Sequence, residues 1–498
     1  MEKSKKYTLS REIEANKEIQ STEISPRIAY AVCALFVMII ISVPFVQFIC
    51  RGLPAKWTDD ALHSSCYMEN ALTSNYQQIL TEILRSGNEK AIIGNETGWL
   101  FYTSDIEHLT QPIDPRSADC IIDMKRQLDA RGIQLILVPT PLKPMICAHQ
   151  LNGNFAEGKM LLHPEYISWV EKLEMEGVLV ADLMSVLYEL NQNVPAYLRM
   201  DTHWSPAGMK AAARTLAAIV EEKSTITQNS AYSVIDTTIS HRGDIYSMLR
   251  LAKKIEWLPM EQVVTETVLD ASGFFYSRQK QAEILLLGDS FTNIFSVANM
   301  GWGHAAGLAE QLSLLLQCPI DVISRNDGGS YATRQMLQNE MAKGEDRLSG
   351  KKVVIWQFAM RELSTGNWQP MEFELGEEQE NLQFLTVDEG KVITTEATVV
   401  DVATVPHPST VTYEDHVVAV HLTDIEGYPE KEALVYMLAM RKRQLLLEAK
   451  IKPGDRIALT LENWAAHEAV EGAFNRSELE TDITLFSDPL WGRLNAKQ

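Results

Sequence analysis

Apolar positions along the chain fall into three textures. The first is one unbroken run, Ile28 to Ile49, with no formal charge. At about 1.5 Å of rise per residue, a helix of this length reaches across a bilayer. The residues before Cys50, Val46-Gln47-Phe48-Ile49, lack the small side chains of a cleavage site. The run therefore reads as an uncleaved anchor rather than a signal peptide or lipoprotein leader. Lys3, Lys5, Lys6, Arg11, Lys17 and Arg27 precede it, whereas only Arg51 and Lys56 follow closely. Basic residues stay inside, so the expected topology is a cytoplasmic tail (1–27), a single transmembrane anchor (28–49) and an exported body. That puts the main body in the periplasm or another extracytoplasmic space, tethered to the cytoplasmic membrane.

The second texture follows a helical, linker-like stretch over 50–89. Gly98-Trp99-Leu100-Phe101-Tyr102 reads as a turn entering a short aromatic strand. Five apolar runs then read as buried strands: Ile133–Val138, Val178–Val180, Ile284–Leu287, Ile320–Ile323 and Val353–Phe358. Stretches of helical period lie between them, near 116–131, 163–176, 206–222, 303–317 and 331–345. Continuous apolar strands alternating with helices predict an α/β domain over 90–372, a doubly wound parallel sheet covered on both faces. Reactive groups in such sheets sit beyond the carboxyl ends of the strands. The residues there are Pro139-Thr140, Asp182, Gly288-Asp289-Ser290, Arg325-Asn326 and Arg361-Glu362.

The third texture begins after residue 372. Short β-type runs such as Val392–Thr395 and Val417–Leu422, and a Lys452-Pro453-Gly454-Asp455 turn before Arg456–Leu461, predict a mostly-β domain over 380–498. One helix is expected near 430–448, with Arg441, Lys442 and Arg443 on its solvated face.

Composition narrows the function. Hydrophobic residues make up 46% and charged residues 22%, as in a globular protein. A net charge of −21 argues against a dominant nucleic-acid binder, which needs a basic surface. The same surplus would repel an anionic polymer unless a basic groove exists. Six cysteines, none in Cys-x-x-Cys spacing, support neither structural zinc nor a predicted disulfide. No cofactor or metal is implied.

Two segments carry candidate chemistry. Gly288-Asp289-Ser290-Phe291 directly follows Ile284-Leu285-Leu286-Leu287. A strand-to-helix turn of this kind lifts a serine hydroxyl out of the sheet and aims a backbone N–H at an oxyanion. In Asp201-Thr202-His203-Trp204-Ser205-Pro206, Ser205 can cap a helix that starts at Pro206. Asp201 and His203 then lie in an extended lead-in, where residues two apart face the same way. Ser290 as nucleophile, His203 as base and Asp201 as orienter make the parts of an acyl-transfer triad. Asn326 and the Asp327-Gly328-Gly329-Ser330 turn could supply a second oxyanion donor, with Gly328 and Gly329 allowing close backbone approach. His241-Arg242-Gly243-Asp244 reads as a loop ion pair that could edge the site. Trp99, Trp356 and Trp368 could stack on sugars, but core packing is the better reading.

Together these motifs resemble the SGNH-hydrolase-like acetyltransferases, specifically the alginate O-acetyltransferases of the AlgJ/AlgX type. Gly98–Tyr102, Asp201–Gly208 (Asp-Thr-His-Trp-Ser-Pro-Ala-Gly), Gly288–Phe291, and the strand at 353–358 with Arg361-Glu362-Leu363 carry the resemblance over roughly residues 90–370. Asp-x-His precedes the serine here, the reverse of the order in secreted esterases of the superfamily. The resemblance implies an SGNH-like fold, with nucleophile, base and acid at Ser290, His203 and Asp201. It further implies acetyl transfer to hydroxyls of an exported polysaccharide, with a multi-pass membrane acyltransferase passing on the acetyl group. By analogy of architecture, the C-terminal domain would bind polymer. A carbohydrate esterase of the same fold and a non-catalytic polysaccharide-binding scaffold are the alternatives.

Overall fold

The computed structural model describes residues 26–51, 67–155, 160–376, 383–406, 408, 411, 413–479 and 487–495. The chain divides into a small N-terminal unit, Met1–Tyr76, and a large unit, Gln77–Gln498. In the small unit a helix spans Pro26–Arg51 and covers the uncharged run. Its described side chains include Leu35, Phe36, Val37 and Met38, each more than half exposed. Among the described residues no helix is long and apolar enough to cross a membrane. The tail before residue 26 and residues 52–66 of the small unit lie outside the described residues.

The large unit is built on five parallel strands: β1 (Gln134–Thr140), β2 (Leu179–Val180), β3 (Ile284–Gly288), β4 (Asp321–Ser324) and β5 (Val353–Ala359). They pair in the order β2-β1-β5-β3-β4. All seven residues of β5 and all five of β3 are buried. Burial on both faces is why these strands read as unbroken apolar runs. The connecting helices are α1 (Arg116–Asp129), α2 (Tyr166–Met175), α3 (Leu183–Asn191), α4 (Pro206–Lys223), α5 (Ser290–Asn293), α6 (Leu308–Leu316) and α7 (Ala332–Ala342). One face of each long helix joins the sheet core, as with Ile121, Met124 and Leu128 of α1 and Leu216 and Val220 of α4. Each such fully buried aliphatic side chain contributes roughly 2 kcal/mol.

The expected strands and helices are present within a few residues of their predicted ends. Two elements differ from expectation. Ser233–His241 and Glu261–Leu269 form an antiparallel hairpin that no apolar run announces, because most of Ser233–His241 is solvent-exposed. The helix expected near 430–448 is instead strand Ala433–Arg441 and short strand Gln444–Leu445. Ala433–Met437 is buried throughout, and a short run apolar on all sides fits a buried strand as well as a helix. Lys442 and Arg443 therefore sit at a tight turn with positive φ (48° and 59°), not on a helix face.

The C-terminal strands are β6 (Val392–Val402), β7 (His416–Thr423), β8 (Ala433–Arg441), β9 (Gln444–Leu445), β10 (Arg456–Asn463), β11 (Asn475–Ser477) and β12 (Leu490–Leu494). Their order is β9-β8-β12-β10-β6-β7-β11, and β8 also pairs with β7. That extra pairing closes β8, β12, β10, β6 and β7 into a barrel, which removes its open edges. The barrel has its own core, which Val297 of the α/β part joins.

Candidate active site

Ser290 sits where β3 ends and α5 begins, and the backbone there is locked from several sides. The Asp289 carboxylate accepts N–H bonds from Phe291 (2.8 Å) and Ala359 (2.7 Å) and one from the Gln357 amide (2.9 Å). The Gln357 carbonyl in turn accepts from Asp289 N (3.1 Å) and from the Thr292 hydroxyl (2.8 Å). Gly288 is required at the strand end, since a Cβ there would lie 2.2 Å from Thr292 Oγ1. Trp204 Nε1 donates to Phe291 O (3.1 Å), which ties the histidine segment to the serine turn.

The helix cap of the histidine segment forms as its sequence predicts, but the lead-in is bent at Asp201–His203 rather than extended, with His203 N donating to Asp201 Oδ1 at 3.1 Å. Ser205 Oγ accepts from Gly208 N at 3.1 Å, Pro206 opens α4, and Asp201–His203 precede the cap. Fully buried Lys143 holds this lead-in from beneath, donating to the carbonyls of Leu100 (2.6 Å), Arg199 (2.6 Å) and Asp201 (3.1 Å). Burial brings its ammonium down to about 8.

The two segments meet. Ser290 Oγ lies 2.8 Å from His203 Nε2, and His203 Nδ1 lies 2.6 Å from Asp201 Oδ1. A carboxylate at Nδ1 keeps the ring proton there and leaves Nε2 to accept the serine proton. All three side chains are buried, Ser290 with 7% of its surface exposed at the floor of the cleft. Burial opposes charge on both partners of the acid–base pair. Even so, the His203 charge, its hydrogen bond and the Trp302 indole hold the Asp201 carboxyl at about 2. On His203, burial is outweighed by Asp201, so the imidazole is more basic than usual.

The cleft above Ser290 has a volume of about 520 Å³. Tyr102, Arg325, Asn326 and Arg361 of the α/β part line it, with Tyr413, Glu414, Phe474 and Asn475 of the C-terminal part. A larger cleft of about 1230 Å³ shares Arg325 and Tyr331 with it but has neither Ser290 nor His203 in its walls. The chemistry belongs to the smaller cleft, which contains all three reactive side chains.

The oxyanion candidates separate. Asn326 Oδ1 accepts from Asn293 Nδ2 (2.9 Å), so the Asn326 side-chain amide remains a donor in the cleft. Gly328 also lines the cleft. Gly329 N and Ser330 N instead donate to the Glu362 carboxylate, at 3.1 and 2.7 Å. The Gly329 N–H is thus already used, which leaves Asn326 and Gly328 of the three candidates at the cleft. Burial, then the nearby Asp289 charge, pushes the Glu362 carboxyl up to about 7.

Other sequence candidates fall elsewhere. Asp182 caps α3 through Met184 N and takes no part in the site. Trp99, Trp356 and Trp368 are core residues, at 5%, 0% and 0% exposure. Arg242 and Asp244 do not pair: Arg242 donates to Leu258 O, and Asp244 accepts from Thr202. Gln357, Lys143 and Trp302 have no local sequence signal, because each acts on residues far away along the chain. Asp201, His203 and Asp244 lie close enough to share a metal ion. Both Asp201 oxygens and both Asp244 oxygens already accept hydrogen bonds, which fits a proton-handling network better than a ligand set.

A hydroxyl at a strand-to-helix turn, an imidazole bonded to it and a buried carboxylate on a parallel sheet define a serine-nucleophile acyltransferase or hydrolase. Residues 92–360, more than half of the chain, match the family described as "SGNH hydrolase-like domain, acetyltransferase AlgX". The chain belongs to that family, and is an O-acyltransferase by class. It is 26% identical over 301 residues to the "Probable alginate O-acetylase AlgJ" of Pseudomonas aeruginosa, covering 56% of this chain and 72% of that one. It is 23% identical over 303 residues to the "Alginate biosynthesis protein AlgX" of Azotobacter vinelandii, covering 58% and 57%. The solved O-acetyltransferase domain of Pseudomonas putida AlgJ overlays with a TM-score of 0.43 at 21% identity, covering 56% of this chain and 93% of that chain.

Proposed function

We propose that this chain is a membrane-anchored O-acetyltransferase that transfers acetyl groups to hydroxyls of an exported, alginate-like polysaccharide. The observation that carries the reading is the continuous contact from Asp201 through His203 to Ser290 Oγ. In the first half-reaction His203 Nε2 takes the Ser290 proton as Oγ attacks the acetyl carbonyl. The Ser290 N–H and the Asn326 amide face the oxyanion, and the leaving group departs with the proton from His203. In the second half-reaction His203 deprotonates a sugar hydroxyl, which takes the acetyl group and restores the serine. The donor is delivered by a multi-pass membrane acyltransferase, as the resemblance implies.

The anchor reading is supported by the uncharged run Ile28–Ile49, by the basic residues before it, and by the exposed apolar side chains of Pro26–Arg51. It places the catalytic unit outside the cytoplasmic membrane. A non-catalytic scaffold would have no need of an aligned serine and imidazole. Incubating the purified protein with a chromogenic acetyl ester and alginate tests the reading. Polymer acetylation that depends on Ser290 is expected, and acetylation that persists in Ser290→Ala refutes it.

A further inference from the structure

The serine half of the site is held by the sheet, but the histidine half leans on the turn His241-Arg242-Gly243-Asp244. This turn leaves the exposed hairpin and starts the short helix Asp244–Met248. Gly243 has φ +85°, and a Cβ on it would lie 2.5 Å from Met200 O and 2.7 Å from Asp201 Cβ. Only glycine lets the turn press so closely against the lead-in. Asp244 N thereby reaches Asp201 Oδ2 at 3.0 Å, the oxygen that also accepts from Trp302 Nε1 at 2.8 Å. The Asp244 carboxylate accepts from Thr202 N (2.8 Å) and Thr202 Oγ1 (2.6 Å). Thr202 Oγ1 lies 3.1 Å from His203 Nδ1, and Asp244 Oδ2 lies 4.0 Å from the same nitrogen.

We propose that Asp244 is a positioning residue: a second carboxylate that, alongside Asp201, holds the His203 ring and stabilises its positive form once it has taken the Ser290 proton. The inference rests on the acyl-transfer reading above. One neighbouring carboxylate would suffice to orient the ring, but an imidazolium buried at 4% exposure gains from a second negative charge within 4.0 Å. The charged groups facing Asp244 are Asp201 and His203 from the lead-in, Lys143 beneath it, and Arg443 from the turn after β8. Burial and then Asp201 raise the Asp244 carboxyl, and the His203 charge only partly offsets them, leaving it near 6. Asp244 is therefore ionised at neutral pH and loses its charge as pH falls through about 6.

The test is the pH profile of kcat/KM on a chromogenic acetyl ester, measured for wild type, Asp244→Asn, Thr202→Val and Ser290→Ala. In Asp244→Asn, His203 loses a stabilising charge, so its acid limb should move down by about one pH unit. The plateau should fall about tenfold. In Thr202→Val the carboxylate loses its hydroxyl donor and protonates at higher pH, so the limb should move the same way by a smaller step. Thr202→Val also serves if Asp244→Asn does not fold. A limb that stays put or moves up in both variants overturns the proposal, whatever the loss of rate. Activity retained in Ser290→Ala would instead overturn the acyl-transfer reading itself.

Discussion

The parallel sheet and the C-terminal barrel both face the same cleft, yet they meet it differently. The sheet delivers Ser290 from the end of a fully buried strand, with Asp289 tied to Phe291, Ala359 and Gln357. The C-terminal part reaches the cleft through the loop residues Tyr413–Asp415 and Phe474 and the first residue of β11, Asn475. Its ties to the site include Asn326 N, which donates to Ala473 O (3.2 Å), and Asn299 Nδ2, which lies 3.3 Å from Asp415 Oδ2. A site tied down by several hydrogen bonds suits bond-making, whereas loops on a separate core suit gripping an extended ligand. Substitutions on the sheet side should therefore change kcat on any acetyl ester. Substitutions on the barrel side should change KM for polymer alone.

The largest effect separates the two regions most sharply. Ser290→Ala and His203→Ala should each lower kcat on a small acetyl ester by about 10,000-fold or more, with an unchanged melting temperature. A small loss would move the chemistry off the sheet. Asn326→Ala removes the proposed side-chain oxyanion donor and should cost about 100-fold in kcat with little change in KM, read by steady-state kinetics. A pure KM effect would make Asn326 a substrate contact instead.

The pH dependence is centred on His203. His203 must be neutral to accept the serine proton, and Asp201 raises its basicity. Activity should therefore fall as pH drops through a value above 6.5, about tenfold per unit below it, for small ester and polymer alike. A limb present only with polymer would point to acceptor binding rather than to His203. The smallest effect is on the barrel side. Tyr413→Ala with Phe474→Ala should raise KM for polymer several-fold, as expected when stacking surfaces are lost, and leave small-ester kinetics untouched. A drop in small-ester kcat would show that the barrel helps to form the catalytic site.

The same contrast governs what the sequence reveals. The sheet is legible because burial on both faces turns each strand into an unbroken apolar run, as in Ile284–Leu287. Asp201 and His203 are legible as a pair because they lie two apart just before the helix start that Ser205-Pro206 marks, although a bend closed by His203 N on Asp201 Oδ1, not extended backbone, brings them together. The barrel is less so. Strand Ala433–Arg441 is apolar on every side where it is buried, and its period cannot distinguish strand from helix. The hairpin over 233–269 escapes because its exposed strand carries no core pattern. The supports of the site are the least visible. Gln357 sits inside what reads as an apolar strand, Trp302 reaches Asp201 across 101 positions, and Asp244 reaches Thr202 across 42. Short-range patterns carry no trace of such pairings, and Gly329 looked available as a donor until its Glu362 partner was placed in space.

The central claim is that Ser290 becomes acetylated on the way to product, with His203 as its base. Peptide mass spectrometry after rapid acid quench of the protein with a chromogenic acetyl ester, without acceptor, tests it most directly. The account predicts one acetyl group on the peptide that contains Ser290 in the wild type, its loss when polymer is added, and none in Ser290→Ala or His203→Ala. Turnover by the wild type with Ser290 never acetylated, or an acetyl group that persists elsewhere in Ser290→Ala and still passes to polymer, would contradict it.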